Sequence, residues 1–140
     1  MDFSKVMAIS GKPGLYEILS QTKSGVVVKS IVDGKRTAVN ASNNVSLLEN
    51  IAIYTYEEEV PLAVVLKNIA DKENGNEAIS HKESNKVLTT YFSEILPDFD
   101  EERVYASNIK KIIQWYNILA KSDFDFASLS ETIESSNEEE

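Results

Sequence analysis

The first part of the chain alternates short apolar runs with turn residues, which is the pattern of a small antiparallel sheet. Asp33-Gly34 separates two of these runs and favours a tight hairpin, because glycine readily takes the positive φ that such a turn needs. Short strands at this spacing indicate a small curled sheet or a partly open barrel of the SH3-like type. The candidate strands are residues 5–10, 14–21, 25–32, 36–40 and 50–56.

From Pro61 onward the apolar residues recur at the spacing of a helix, and three helices are predicted. Pro61 suits the first turn of the first helix, and a capping box of Ser80 and Glu83 is expected to open the second, which ends at Pro97. The third is predicted over residues 100–120. The positions expected to be buried are Leu62, Val65, Leu66, Ile69 and Ala70 in the first helix, Val87, Leu88, Tyr91, Phe92, Ile95 and Leu96 in the second, and Tyr105, Ile109, Ile112, Ile113, Tyr116 and Leu119 in the third.

Together these patterns predict an α+β protein. A five-stranded SH3-like small barrel (residues 1–60) is expected to precede a three-helix unit (residues 61–122) that packs on itself and against the barrel. Residues 123–140 carry seven acidic residues and no basic one, so they account for most of the net charge of −9. We expect them to form an acidic tail that is largely disordered, with either a regulatory or a merely solubilising role.

The composition excludes several classes of site. The chain has 140 residues and no cysteine, which removes disulfides, thiolate metal sites and cysteine nucleophiles. Its first residues do not resemble a secretory signal, and no apolar run approaches the roughly 20 residues of a membrane helix. We therefore expect a cytoplasmic protein that does not associate with membranes.

The segment Gly11-Lys12-Pro13-Gly14 has the glycines and lysine of a phosphate-binding loop, but not its context. Such a loop presents backbone N–H groups at the start of a helix, whereas Pro13 lacks an N–H and the next residues have the composition of a strand. The segment is interpreted as a turn between two strands.

No catalytic, cofactor or metal site is predicted from the remaining polar residues. His81 is the only histidine and is expected on the exposed first turn of the second helix. The acidic runs at residues 57–59 and 98–102 flank predicted helix starts, where carboxylates complement the helix dipole. They lack the spacing of an EF-hand calcium loop.

The third helix carries the clearest candidate for binding. Its polar residues fall near one line opposite the apolar stripe, and a tryptophan lies on the flank between the two faces, where an indole can anchor a partner. The same arrangement also describes the solvated face of any amphipathic helix. The candidate partner-binding residues are Arg103, Lys110, Gln114, Trp115, Asn117 and Lys121.

Nucleic-acid binding is the alternative interpretation. Lys29, Lys35 and Arg36 lie in the predicted barrel strands and turns, and small barrels commonly bind oligonucleotides with such loops. Together with the basic residues of the third helix they could contact the backbone of RNA or of a single strand. Aromatic residues that would stack on bases are few in this region.

The segments GKPGLYEI, DGKR and RVYASNIKKIIQWYNIL resemble the recurring segments of an uncharacterised bacterial protein family. The resemblance covers roughly residues 3–122 and implies a small β-barrel-like N-terminal domain joined to a short helical C-terminal domain. It implies no activity and no catalytic residues. The sequence therefore favours a non-enzymatic module that binds a protein partner, and it leaves the partner and the oligomeric state open.

Overall fold

The structure is a computed structural model that describes residues 3–9, 14–40, 45–122, 124–126 and 129. No helix in this described part is both long and apolar enough to cross a membrane. The strands are β1 (Val6–Ile9), β2 (Tyr16–Thr22), β3 (Gly25–Ser30), β4 (Arg36–Asn40), β5 (Val45–Leu47), β6 (Ala52–Tyr54) and β7 (Glu59–Pro61), and the helices are α1 (Leu62–Glu73), α2 (Asn85–Ile95) and α3 (Ala106–Lys121).

The first five strands form one antiparallel sheet in the order β4-β3-β2-β1-β5. The hairpin predicted at Asp33-Gly34 is confirmed, since Lys29 of β3 faces Arg36 of β4 and Gly34 takes a φ of 75°. Gly25 allows β3 and β4 to approach closely, because a Cβ there would lie 1.9 Å from the carbonyl oxygen of Val39. The predicted class is confirmed: a five-stranded antiparallel sheet is followed by three helices.

The prediction that residues 50–56 supply the fifth strand of this sheet is wrong. The fifth strand is β5, which lies beside β1, and a single 3-10 turn at Leu48–Asn50 then redirects the chain. The run that follows forms β6, which pairs with β7 as a separate hairpin. The strands of the described part show no pairing between the outer strands β4 and β5, so the sheet has the partly open form.

The start predicted for α2 is also wrong, because two serines compete for the role of cap. Ser80 closes a turn instead, and its Oγ accepts a hydrogen bond from the Lys82 N–H at 3.1 Å. Ser84 is the N-cap, with its Oγ accepting from the Val87 N–H at 3.3 Å. His81 therefore lies in the turn before α2 and is half-buried, not on an exposed helical turn.

The predicted third helix begins later than its apolar spacing suggested. The carbonyl of Asp100 accepts the N–H groups of Arg103 and Val104, which makes a turn, and α3 starts only at Ala106. Tyr105 precedes the helix and is 63% exposed, and Val87 in α2 is 42% exposed. Burial was wrongly predicted for these two residues, whereas the other positions of the three stripes are buried.

One main core joins the sheet to the helices. Phe3, Val6, Leu15 and Leu48 enter it from the strand half and pack with the buried faces of the three helices. A smaller cluster lies on the other face of the sheet and contains Met7, Ile9, Val28 and Val39. Val6 and Met7 enter different clusters because neighbouring side chains of a strand point to opposite faces.

The packed body continues past residue 122, where the sequence pattern placed the start of an acidic tail. Phe124, Phe126 and Leu129 are all buried. The ring of Phe126 stacks on Tyr116 of α3 at 4.9 Å between centroids, and Phe124 lies edge-on to Phe126 at 5.2 Å. Asp125 between the two phenylalanines is exposed, and the other residues of the predicted tail lie outside the described residues.

Two buried tyrosine hydroxyls tie the helices together. The Tyr91 hydroxyl of α2 donates to Glu73 Oε2 of α1 at 2.8 Å, and the Tyr116 hydroxyl donates to the carbonyl of Asn76 at 2.5 Å. Burial raises the pKa of Tyr116 to about 12. Burial, and then the hydrogen bond to Glu73, raise the pKa of Tyr91 further above its ordinary value of 10.0.

These shifts predict a loss of stability at alkaline pH. Because the folded state keeps both phenols protonated, their contribution is complete below about pH 10 and is lost as the pH rises through the higher folded values. We expect the midpoint of urea unfolding to fall steadily above about pH 10. The double variant Y91F/Y116F should be less stable at neutral pH, yet should show a shallower decline. Equal slopes for the two proteins would contradict the prediction.

Candidate partner-binding groove

A groove on the surface lies between the hairpin strand β6 and the helix α3. The turn that leads into α3 is bonded to the hairpin: the Asp100 N–H donates to the carbonyl of Tyr54 at 2.9 Å, and the Tyr56 N–H donates to the carbonyl of Asp98 at 3.0 Å. An isolated bridge also joins Thr55 to Phe99. These bonds hold β6 beside the start of α3 and so set the width of the groove.

Asp100 positions Arg103 at the rim of this groove. The carboxylate is largely buried, and it accepts the Glu102 N–H at 3.0 Å while Oδ2 lies 3.4 Å from Arg103 Nε. The guanidinium then lies over the ring of Tyr54, with 5.2 Å between its central carbon and the ring centroid. Both contacts restrict the long arginine side chain, so less conformational entropy would be lost in any further contact that it makes.

The groove opens onto a cavity of about 160 Å³ whose floor is apolar. Ile51, Ile53, Val104 and Ile112 line it, and Trp115 of α3, which is half-buried, forms part of the wall. We call this feature the aromatic groove, and define it by residues 51–54 together with Arg103, Val104, Asn108, Lys111, Ile112 and Trp115.

The predicted partner-binding residues are divided between the two sides of α3. Arg103 and Trp115 lie in the aromatic groove, and Lys110 is exposed and lines neither this groove nor the next one. A second groove lies between the β3–β4 turn, residues 77–82 and the end of α3, and we call it the junction groove. It contains the other three predicted residues, Gln114, Asn117 and Lys121.

The prediction that Asn117 lies on the solvated face is wrong, because the connection between α1 and α2 crosses that face. The Asn117 Oδ1 accepts the Ala78 N–H at 2.7 Å, and its Nδ2 donates to the carbonyl of Ile79 at 2.9 Å. Lys121 Nζ lies 3.4 Å from Glu77 Oε1 in the same region. Asn117 therefore holds the loop against α3, and both the oxygen and the nitrogen of its side-chain amide already have hydrogen-bond partners.

Replacing Asn117 by alanine should detach this loop from α3. The change leaves a backbone N–H and a carbonyl without their partner, at a cost of about 1–3 kcal/mol in the free energy of unfolding. Asn117→Asp keeps the acceptor for the Ala78 N–H but places a carboxylate oxygen against the Ile79 carbonyl, so it should destabilise the protein as well. Urea unfolding of the three proteins measures both losses, and an alanine variant as stable as the wild type would contradict the prediction.

The residues of the alternative nucleic-acid site lie on the β3–β4 hairpin. Lys29 and Arg36 are cross-strand neighbours, and the Lys35 N–H donates to Asp33 Oδ1 at 2.9 Å. Lys29 lines a neighbouring pocket, which shares Lys121 of the predicted helix stripe with the junction groove. The structure thus brings two of the proposed cations together in this pocket, although Glu17 faces Lys29 across the strands and lines the same pocket.

Within the described residues, no group of three or more histidine, cysteine, aspartate or glutamate side chains could hold a metal ion. His81 lines the junction groove beside Ser80 and Lys82. The glycine-lysine segment at residues 10–13 lies outside the described residues. A strand, β2, follows it as predicted, and a phosphate loop would be followed by a helix.

The sequence pattern did not predict Tyr54, Asn108 or Lys111 as site residues. Asn108, Lys111, Ile112 and Trp115 recur at the spacing of one helical face, so the α3 side of the groove was visible in principle. The β6 side was not, because Tyr54 reaches Arg103 only through the turn at Asp100.

Comparisons with known proteins give family membership but no activity. Two family models match, a domain of unknown function (DUF5606) over residues 3–48 and a domain of unknown function (DUF6852) over residues 51–119. The solution NMR structure of a Bacteroides vulgatus protein, a Northeast Structural Genomics Consortium target, is 41% identical with a TM-score of 0.74. The match covers 89% of this chain and 91% of that one. No curated protein matches the chain.

Proposed function

We propose that this chain, which belongs to the same bacterial family as the Bacteroides vulgatus protein and matches two domains of unknown function, is a non-enzymatic interaction module. It binds a protein partner through the aromatic groove. The observation that carries this proposal is an apolar cavity whose wall and rim are formed by a tryptophan, a tyrosine and a restrained arginine.

The residue types in the groove support protein binding. Tryptophan, tyrosine and arginine are the residues that most often dominate the binding energy of protein interfaces, and they do so around well-packed pockets. Tyr54 is 41% exposed and Trp115 is half-buried, so both present ring surface at the groove. The lining offers rings, an amide and two cations, which are groups that make contacts with a partner.

Nucleic-acid binding remains the alternative, and the pocket beside the junction groove favours it in one respect. Lys29 and Lys121 line that pocket together, and both side chains could contact phosphates. Glu17 and Glu77 lie beside these two lysines and reduce the positive potential there. The lining of the aromatic groove carries two cations and no acid; Arg103 is paired with Asp100 outside the lining, whereas Lys111 is in no ion pair of the described residues. We therefore assign the function to the aromatic groove.

Affinity capture of the tagged protein from its own cells, with and without RNase, tests the proposal. The groove variant is Lys111→Glu, and Lys86→Glu on α2 is the matched control because it also reverses an exposed helical lysine. A further variant, Lys110→Glu with Gln114→Glu, examines the other side of α3. Protein partners that survive RNase and are lost only with Lys111→Glu would support the proposal.

Two results would refute the assignment. Enriched RNA, with protein partners lost on RNase treatment, would favour the nucleic-acid alternative. Partners lost with the Lys110 and Gln114 changes, but retained with Lys111→Glu, would move the binding surface to the junction side of α3.

A further inference from the structure

We propose that the partner contributes an acidic segment that inserts one large apolar side chain into the aromatic groove. This inference rests on the proposed function and specifies the chemistry of its ligand. Three observations carry it: the size of the cavity, the donors around its rim and the occupied face of Tyr54.

The cavity accommodates one side chain. Its volume of about 160 Å³ is the volume that about five water molecules occupy in liquid water. The floor is aliphatic, and Ile53 and Ile112 within it are almost completely buried. An apolar side chain gains there by leaving water, whereas a charged one would lose its hydration without a partner.

The rim of the cavity presents hydrogen-bond donors. The ion pair between Arg103 and Asp100 runs through Nε, which leaves the two terminal NH₂ groups of the guanidinium for another acceptor. Asn108 already uses its Oδ1 to accept the Tyr105 N–H at 2.9 Å, so its amide offers N–H groups.

Lys111 adds an ammonium group to this rim. Its side chain is exposed, and no ion pair within the part of the chain that the structure describes includes it. Arg103 and Lys111 are the charged residues of the lining, and both are cations. Carboxylates on either side of the apolar side chain are the complement of such a rim.

Phosphates would also suit these donors, but the rings do not favour bases. One face of Tyr54 is covered by the Arg103 guanidinium, which competes with a stacked base for that face. Trp115 is half-buried in the wall and presents only part of its ring. We therefore assign the groove to an acidic peptide, and a single-stranded nucleic acid is an outcome that the experiment must distinguish.

Selection from a library of random displayed peptides, with the full chain as bait, tests the inference. We expect the enriched peptides to share one leucine, isoleucine, phenylalanine or tryptophan flanked by aspartate or glutamate. A synthetic enriched peptide should lose about tenfold or more in affinity when its apolar residue becomes alanine. Its affinity for Lys111→Glu should fall by about fivefold or more, and its affinity for the control Lys86→Glu should change by less than about twofold.

The outcomes separate the two claims. Peptides that need Trp115 and Lys111 but lack acidic residues would overturn the acidic ligand and leave the proposed function standing. Peptides that bind the Lys111→Glu and Trp115→Ala variants as tightly as they bind the wild type would overturn both the acidic ligand and the proposed function. The absence of any enriched peptide would also overturn both. If a labelled oligouridylate binds the wild type but not the Lys111→Glu variant, the ligand of the groove is a nucleic acid and not a peptide.

Discussion

Replacing Phe126 by alanine is expected to lower the free energy of unfolding by about 3–5 kcal/mol, the cost of removing a buried aromatic ring. Phe126 is 7% exposed, stacks on Tyr116 and contacts the ring of Phe124. Phe124 in turn lies 6.2 Å from Phe3 between centroids. The rings of Phe126 and Phe124 therefore connect Tyr116 of α3 to Phe3 at the start of the described chain.

Urea unfolding of Phe126→Ala and of Phe126→Leu measures this effect. The leucine variant keeps an apolar side chain in the same site, so its loss should be clearly smaller. Val87→Ala is a suitable control, because Val87 is exposed and its truncation should change stability by less than about 0.5 kcal/mol. An alanine variant that loses less than about 1 kcal/mol would contradict the packing of the segment after residue 122.

Replacing Trp115 by alanine is expected to lower the affinity for the captured partner or the selected peptide by at least about 30-fold, which corresponds to about 2 kcal/mol of binding free energy. The indole forms part of the wall of the cavity, so its loss removes apolar contact and opens the site to water. The variant should remain folded, because Trp115 is half-buried and the neighbouring core residues Ile112 and Tyr116 are unchanged.

Isothermal titration with purified partner or peptide measures the loss, and circular dichroism verifies the fold. Gln114→Ala is the control, because this neighbour of Trp115 lies in the junction groove. It should alter the dissociation constant by less than about twofold. Equal losses for the two variants would indicate a general effect on α3 and would contradict the assignment of the site.

The helical half could be predicted closely from spacing alone, because its apolar stripes recur over several turns. The ends of the helices could not. Ser80 and Ser84 both have the composition of an N-cap, and the choice between them depends on where the loop held by Asn117 brings the chain. In the same way, the turn at Asp100 keeps Tyr105 out of α3 although its spacing fits the buried stripe.

In the strand half the hairpin at Gly34 could be predicted, because turn chemistry is local. The assignment of residues 50–56 to the first sheet failed because short strands carry too few residues to specify a partner. β5 and β6 are three residues each, and the 3-10 turn between them decides which sheet each strand joins.

The candidate site was predictable only in part. The side chains of Arg103 and Trp115 indicated binding from their types and from the helix that carries them. The role of Asn117 depended on a loop that is distant in sequence, and Tyr54 depended on the hairpin lying against the start of α3. Residues that act across two elements are those for which periodicity gives no signal.

The most direct test of the aromatic groove as the binding site is site-specific photocrosslinking in living cells with benzoylphenylalanine in place of Ala52, an exposed residue of the groove, and in place of Lys86 as the control. We predict an RNase-resistant protein adduct at position 52, lost when Trp115→Ala is added, and no such adduct at position 86. An adduct with RNA at position 52, the same protein adduct at both positions, or no adduct at position 52 would contradict the assignment.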